Sequence, residues 1–235
     1  MSEPHVGKEF YDSSDYFEGG TEHLTDVSSP FQRYRVRKVL ELYGPGAGEH
    51  VVDLGCGWGT FSFALADRAA EVVGVDFSEK SIELCRRRLA ADPRDNLRFL
   101  CADAGDTGLG QAAWDLVLAA DLFEHLYPED SVRVVAEAYR LLRPGGRFSV
   151  WTPHRGHFLE VLKNHDILLR RDVSHVDYKS MRRMTGLMRD AGFDIERAYY
   201  AESHLPGLRV VERLFQGIVP LLRRRVAVLG RKPGG

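Results

Sequence analysis

The chain has 235 residues, with 32 Lys+Arg against 34 Asp+Glu for a formal net charge of −2, and is 44% hydrophobic and 28% charged. These values exclude collagen, coiled coil and global disorder, and the length is ample for one domain with a full core. The charge is uneven: Ser203 to Gly235 carries seven Lys/Arg and one acid, a local +6 that leaves −8 on residues 1–202 and argues against nucleic acid as a partner.

The N-terminus, MSEPHVGKEF, has no apolar core of the signal-peptide kind. No run reaches 18 apolar residues, so no transmembrane segment is expected and a cytoplasmic protein is. Cys56, Cys85 and Cys101 are odd in number and match neither a zinc spacing nor a disulfide framework. Residues 1–49 carry an aromatic cluster that includes Phe10, Tyr11, Tyr16, Phe17, Phe31 and Tyr34. From residue 50, short apolar runs predict strands at His50 to Leu54, Glu71 to Asp76, Leu97 to Ala102, Trp114 to Ala120 and Gly146 to Thr152. Helical periodicity fills Thr60 to Ala70, Ser78 to Ala91 with Ser78 as N-cap, and Glu129 to Leu142 with Pro144-Gly145-Gly146 as its stop. Such alternation predicts right-handed crossovers and a mostly parallel, doubly wound α/β sheet.

After Thr152 the rhythm changes. Residues 153–178 are rich in His and Arg and do not read as a regular strand; Ser180 to Ala191 is a helix ended by Gly192, Asp194 to Ala201 a strand, and Arg224 to Gly230 the last strand. One domain over 1–235 is the economical organisation: an N-terminal lid or extension (1–49), a strand-helix core (50–152), insertions with a helix and a strand (153–223) and a last strand with a tail (224–235).

The most informative segment is Val51-Val52-Asp53-Leu54-Gly55-Cys56-Gly57-Trp58-Gly59-Thr60, a buried strand running through alternating glycines into a helix. Glycines there permit unusual backbone angles and close approach of a ligand, although a structural turn would also use them. Asp76 ends the next strand, where an acid can take both ribose hydroxyls of a nucleoside. The dinucleotide fingerprint fails, because its third glycine position holds Thr60.

This run resembles the first motif of class I S-adenosylmethionine-dependent methyltransferases, and the likeness continues through Asp76, Ala102-Asp103-Ala104, Trp114-Asp115-Leu116-Val117 and Leu141-Leu142-Arg143-Pro144-Gly145-Gly146. The resemblance implies a Rossmann-like seven-stranded sheet, mostly parallel with the last strand antiparallel, and S-adenosylmethionine as cofactor with S-adenosylhomocysteine as product. It implies that Gly55, Cys56 and Gly57 face the methionine part while Asp53 orders the loop. Asp76 would hold the ribose, Phe77 would pack on adenine, Asp103 and Ala104 would meet the adenine edge, and Asp121 would lie near the methionyl end. For Asp103 a simple turn after the strand is the alternative. Tyr11 and Tyr16 lie in a run like the lid of related small-molecule enzymes and would close over the cofactor, or else they staple the extension.

Methyl transfer to a hydroxyl needs alignment and can need a base. In Asp121-Leu122-Phe123-Glu124-His125, a helical turn would put Asp121, Glu124 and His125 on one face. His125 is the first choice for the base, with Glu124 orienting it; alternatively both residues only brace the turn. An acid-x-x-Glu-His run with a downstream His also resembles the metal site of ubiquinone-type and small-RNA 2′-O-methyltransferases. That set would be Asp121, Glu124, His125 and His175, with His154 or His157 as lesser candidates, but those enzymes start the run with Glu, so a divalent metal is not favoured. His154, His157, His165 and His175 with Trp151, Arg155 and Tyr178 would form a polar, aromatic wall of the substrate pocket. The expected reaction is methyl transfer to a small molecule, most simply at oxygen. The alternatives are N-methylation of an amino sugar or natural product by alignment alone, and a non-catalytic cofactor-binding module. The basic, apolar stretch from Leu205 onward is a solvated face, a site for an anionic or lipid substrate, or a peripheral membrane contact.

Overall fold

The computed structural model describes residues 7–13, 29–164 and 173–234. Tyr16, Phe17 and His165 lie outside the described residues. The strands are β1 (His50–Leu54), β2 (Glu71–Asp76), β3 (Leu97–Cys101), β4 (Trp114–Ala120), β5 (Leu142–Pro153), β6 (Asp194–Ala201) and β7 (Arg225–Arg231). They form one seven-stranded sheet in the order β3-β2-β1-β4-β5-β7-β6. β7 runs antiparallel to both β5 and β6, while the other pairs are parallel. Strand order reverses at β1 and β4, so the C-terminal ends of these two strands open the crevice where ligands bind in such sheets.

Helices cover both faces: α1 (Lys8–Ser13), α2 (Pro30–Leu42), α3 (Thr60–Ala66), α4 (Glu79–Ala91), α5 (Pro128–Leu141), α6 (Phe158–Asn164), α7 (Met181–Asp190) and α8 (Pro206–Phe215). Alternate residues of each strand feed two cores. Val51, Leu116 and Leu118 join Val39, Phe61, Leu65 and Ile82 on one face. Val52, Leu54, Val117 and Ala119 join Val134, Ala138, Met184 and Met188 on the other. Burial on both faces explains why these strands are apolar throughout.

Several boundaries differ from those expected. α3 stops at Ala66, where the Asn96 side-chain amide donates to the carbonyls of Ala66 (2.8 Å) and Ala69 (2.9 Å). α5 ends at Leu141, before the Pro-Gly-Gly run, because Leu142 already turns extended and pairs with Trp114. Pro144-Gly145-Gly146 is instead an irregularity inside β5, with Gly145 at φ +84° and its N–H donated to Lys232. Residues 153–178 hold a helix, α6, and three further helices, α1, α2 and α8, were not expected from the sequence.

Candidate active site

The glycine loop leaves β1 with Gly55, Gly57 and Gly59 at φ +68°, +52° and +77°, a region that side chains other than glycine seldom enter. At Gly55 a Cβ would lie 2.7 Å from Leu122 Cδ1, so the close approach also requires glycine. The loop is tied to its neighbours. Cys56 N–H donates to the Val75 carbonyl (3.0 Å), the Cys85 thiol donates to the Gly57 carbonyl (3.0 Å), and Gly57 N–H donates to Asp76 Oδ2 (2.9 Å). The other Asp76 oxygen accepts from Ser78 N–H (3.0 Å), joining the loop to the start of α4. Burial still pushes the Asp76 carboxyl up, to about 6. Asp53, behind the loop, accepts from Ser62 Oγ (2.6 Å), and burial pushes it up to about 7. Asp103 is exposed in a tight turn, where it accepts from Gly105 N–H (2.6 Å) and pairs with Arg133 (3.0 Å). The adjoining Ala104 packs against the second core.

The N-terminal segment closes onto this region. Lys8 pairs with Glu79 (2.8 Å) and Ser78 Oγ donates to Asp12 (2.8 Å), fastening α1 to the first turn of α4. Tyr11 then lies edge-on to Phe77, centroids 5.4 Å apart, and its hydroxyl is 3.0 Å from His125 Nδ1.

A one-turn 3₁₀ helix at Phe123–His125 carries the Glu-His pair past the end of β4. Lys179, fully buried, holds that turn: its ammonium donates to the carbonyls of Phe123 (2.9 Å), Leu126 (2.8 Å) and Asp177 (2.8 Å). Asp177 N–H also donates to the Glu124 carbonyl (3.2 Å), which brings the 173–179 segment against the turn. His125 and His175 consequently meet with ring centroids 4.9 Å apart. Glu124 is 1% exposed and accepts from Thr152 Oγ1 (2.9 Å); burial, reinforced by the Asp121 charge, pushes its carboxyl up to about 8. His125 Nδ1 is also 3.0 Å from the Ser174 carbonyl. His175 Nδ1 is 2.8 Å from the Tyr178 hydroxyl, which donates to Glu160 (3.3 Å). Glu124, His125 and His175 offer ligand atoms that all lie within 4.8 Å of one another.

Asp121 takes another place. One carboxylate oxygen binds Arg225 (2.6 Å) and the other binds Arg35. Burial alone would raise its pKa, but the two guanidiniums outweigh it and hold it at about 2. Asp121 is thus not part of the Glu-His-His cluster. His154 packs against Tyr200, and His157 is buried against Glu212 (3.0 Å), so neither belongs to the cluster. Trp151 is in the hydrophobic core and does not line a pocket wall. The residues that sequence reasoning missed are Arg35, Arg225, Lys179, Glu160 and Glu212. Their roles depend on long-range pairing, with Arg35 and Asp121 86 positions apart.

Residues 51–146 match the family model of a methyltransferase domain. The chain is 33% identical over 150 residues to the protein named "Probable S-adenosylmethionine-dependent methyltransferase" of Mycolicibacterium smegmatis, covering 64% of this chain and 54% of that one. It is also 33% identical over 108 residues to a ubiquinone biosynthesis O-methyltransferase of Coxiella burnetii, covering 46% of this chain and 45% of that one. The chain thus spans about half the length of the curated relatives it matches. In fold it is similar to Haemonchus contortus phospholethanolamine N-methyltransferase 2, with TM-score 0.73 and 19% identity over 97% of this chain and 60% of that one. The β1 glycine loop, the Asp76 strand end and an antiparallel β7 place the methyltransferase-domain match of residues 51–146 on a fold of the same kind.

Proposed function

We propose that this chain methylates a hydroxyl oxygen of a small molecule, with His125 taking up the acceptor proton. The observation that carries this is the Ser174 carbonyl 3.0 Å from His125 Nδ1. A carbonyl only accepts, so that bond uses the tautomer with its proton on Nδ1, shared with the Tyr11 hydroxyl oxygen that also lies 3.0 Å away, and leaves Nε2 as the basic nitrogen. The residues fit S-adenosylmethionine: the three left-handed glycines put no Cβ in the way of a ligand, and Asp76 presents a buried carboxylate at the crevice. When bound, the cofactor supplies a methyl group on a cationic sulfur. Asp76 would hold its ribose, Gly55 and Gly57 its methionyl part, and Phe77 with Tyr11 its adenine side. Tyr11 would also exclude water from His125, and the C. burnetii relative's name supports oxygen as the acceptor atom.

The test is His125→Asn. Turnover of a hydroxyl acceptor should fall by roughly 10²–10⁴-fold, as expected for loss of a general base, with cofactor affinity by calorimetry unchanged. Unchanged turnover would instead favour alignment alone, as N-methylation requires. The Glu124, His125 and His175 cluster supports a second reading, metal-assisted O-methylation, since one carboxylate and two imidazoles suit a divalent cation. Full turnover after exhaustive chelation overturns that version.

A further inference from the structure

Among the described residues, eight of the eleven exposed large apolar side chains fall between Leu205 and Leu221. They cluster on α8 and the turn after it: Leu214 is 65% exposed, Ile218 81% and Phe215 48%. The helix is oriented against the usual rule for a surface helix, which buries its apolar side. Its one buried residue is Glu212.

Glu212 fastens that inward side. It pairs with buried His157 (3.0 Å) and accepts from Ser203 N–H. Arg224 bridges His157 Nδ1 (3.3 Å) to Glu160 (3.4 Å), and Glu160 accepts from Tyr178, the partner of His175. The polar anchor therefore ends at the candidate active site and holds the apolar side outward. Arg209 and Arg213, one turn apart, flank it on α8, and Arg223 follows the turn at Pro220–Leu222. From Ser203 to Gly235 the only acidic side chain is Glu212, which is buried; the adjoining Glu202, 12% exposed, pairs with Arg213 (3.0 Å), so Arg209 and Arg223 carry the outward charge that no carboxylate of the stretch offsets.

We infer that α8 and the turn through Leu221 dock this protein on an anionic lipid bilayer, the apolar side chains entering the interface and the arginines meeting the headgroups. Charge selects this occupant. A second copy placed on the same surface by two-fold symmetry would bring like-charged arginine flanks together, whereas an anionic headgroup layer neutralises them. No helix among the described residues is long and apolar enough to cross a membrane, so the contact is peripheral. This inference does not depend on the acceptor atom or on His125 chemistry.

The test is sedimentation of the full chain with phosphatidylcholine vesicles, with and without phosphatidylglycerol. The protein should pellet with the anionic vesicles at low salt and be released at high salt. Leu214→Asp with Ile218→Asp should lower the partition coefficient by about tenfold or more, while the melting transition is kept because both positions are exposed. Arg209→Gln and Arg213→Gln should each lower it by about fivefold and flatten the salt dependence. Protein that stays in the supernatant with anionic vesicles overturns the proposal, as does partition that none of these variants changes. A dimer that Ile218→Asp dissociates, with no vesicle uptake, would assign the patch to a second copy and overturn it equally.

Discussion

The hydroxyl of Tyr11 lies 3.0 Å from Nδ1 of His125, a contact between residues 114 apart in the chain. It joins the N-terminal helix to the turn after β4. The same ring meets Phe77 at the start of α4, so one side chain touches the elements expected to flank both the adenine and the methyl end.

Tyr11→Phe and Tyr11→Ala separate these two contacts. The Phe variant keeps the ring on Phe77 and loses the hydroxyl, so cofactor affinity should hold while kcat falls by about tenfold, the value of roughly one hydrogen bond. The Ala variant should also weaken cofactor binding, measured by calorimetry. Deletion of residues 1–20 should reproduce the Ala result with an intact melting transition. Equal affinity in all three proteins would remove Tyr11 from the cofactor site.

Lys179 is the residue that holds the Glu124–His125 turn in shape. Lys179→Met leaves the carbonyls of Phe123, Leu126 and Asp177 without their buried donor and takes away the cation beside Asp177 (3.1 Å). Loss of such a network costs about 3–5 kcal/mol, readable as a shift in the urea midpoint at unchanged slope. Turnover should drop with it, because the Glu124–His125 turn and the segment bearing His175 lose their common anchor. A variant with wild-type stability and activity would show that backbone packing alone sets the turn.

Much of the sheet was legible because burial on both faces writes itself as short apolar runs. β1, β2 and β4 fall where their runs predict, residue for residue, and so does the half-exposed edge strand β6, which is marked instead by Ile195, Tyr199 and Tyr200. The Gly55 to Gly59 loop and Asp76 were legible for a related reason, since a ligand crevice demands special residues at fixed spacing. What stayed hidden is pairing at a distance. Arg35 and Arg225 claim Asp121 from 86 and 104 residues away, which diverts it from the Glu-His-His cluster, and no local pattern announces that. α2 did carry a local sign, with Ser29 accepting from Gln32 N–H (3.2 Å) and Pro30 in the first turn. α8 likewise carries a local sign, Pro206 in its first turn and apolar residues at helical spacing, but that its apolar side faces away from the core is something no sequence pattern records.

Gly55→Ala and Gly108→Ala form a matched pair. Both glycines adopt left-handed backbone, φ +68° and +69°, but only at Gly55 would a Cβ meet a neighbour, Leu122 Cδ1 at 2.7 Å; at Gly108 the space is open. Backbone strain alone costs about 1 kcal/mol, so Gly108→Ala should lose that much stability and bind cofactor normally. Gly55→Ala should lose roughly 2–4 kcal/mol and weaken cofactor binding, since Leu122 must shift and the loop with it. Equal denaturation midpoints for the two variants would refute the close approach.

Asp53 ties the loop to pH. Burial raises its folded-state pKa to about 7, whereas an unfolded aspartate titrates near about 3.9. Between these values the folded state binds the extra proton, so this residue makes stability fall as pH rises from about 4 to about 7 and contributes no further change above that. Asp121 acts in the opposite sense. With its folded-state pKa held at about 2, its contribution is present above about 4 and is lost as pH falls toward about 2. Asp53→Asn keeps an oxygen acceptor for Ser62 Oγ and removes the proton. Relative to the wild type, the Asn variant should gain stability as pH goes from 5 to 8, by an amount on the order of 1–3 kcal/mol. Urea unfolding of both proteins at each pH measures the difference, and parallel curves would mean that Asp53 is ionised throughout and held by contacts other than Ser62.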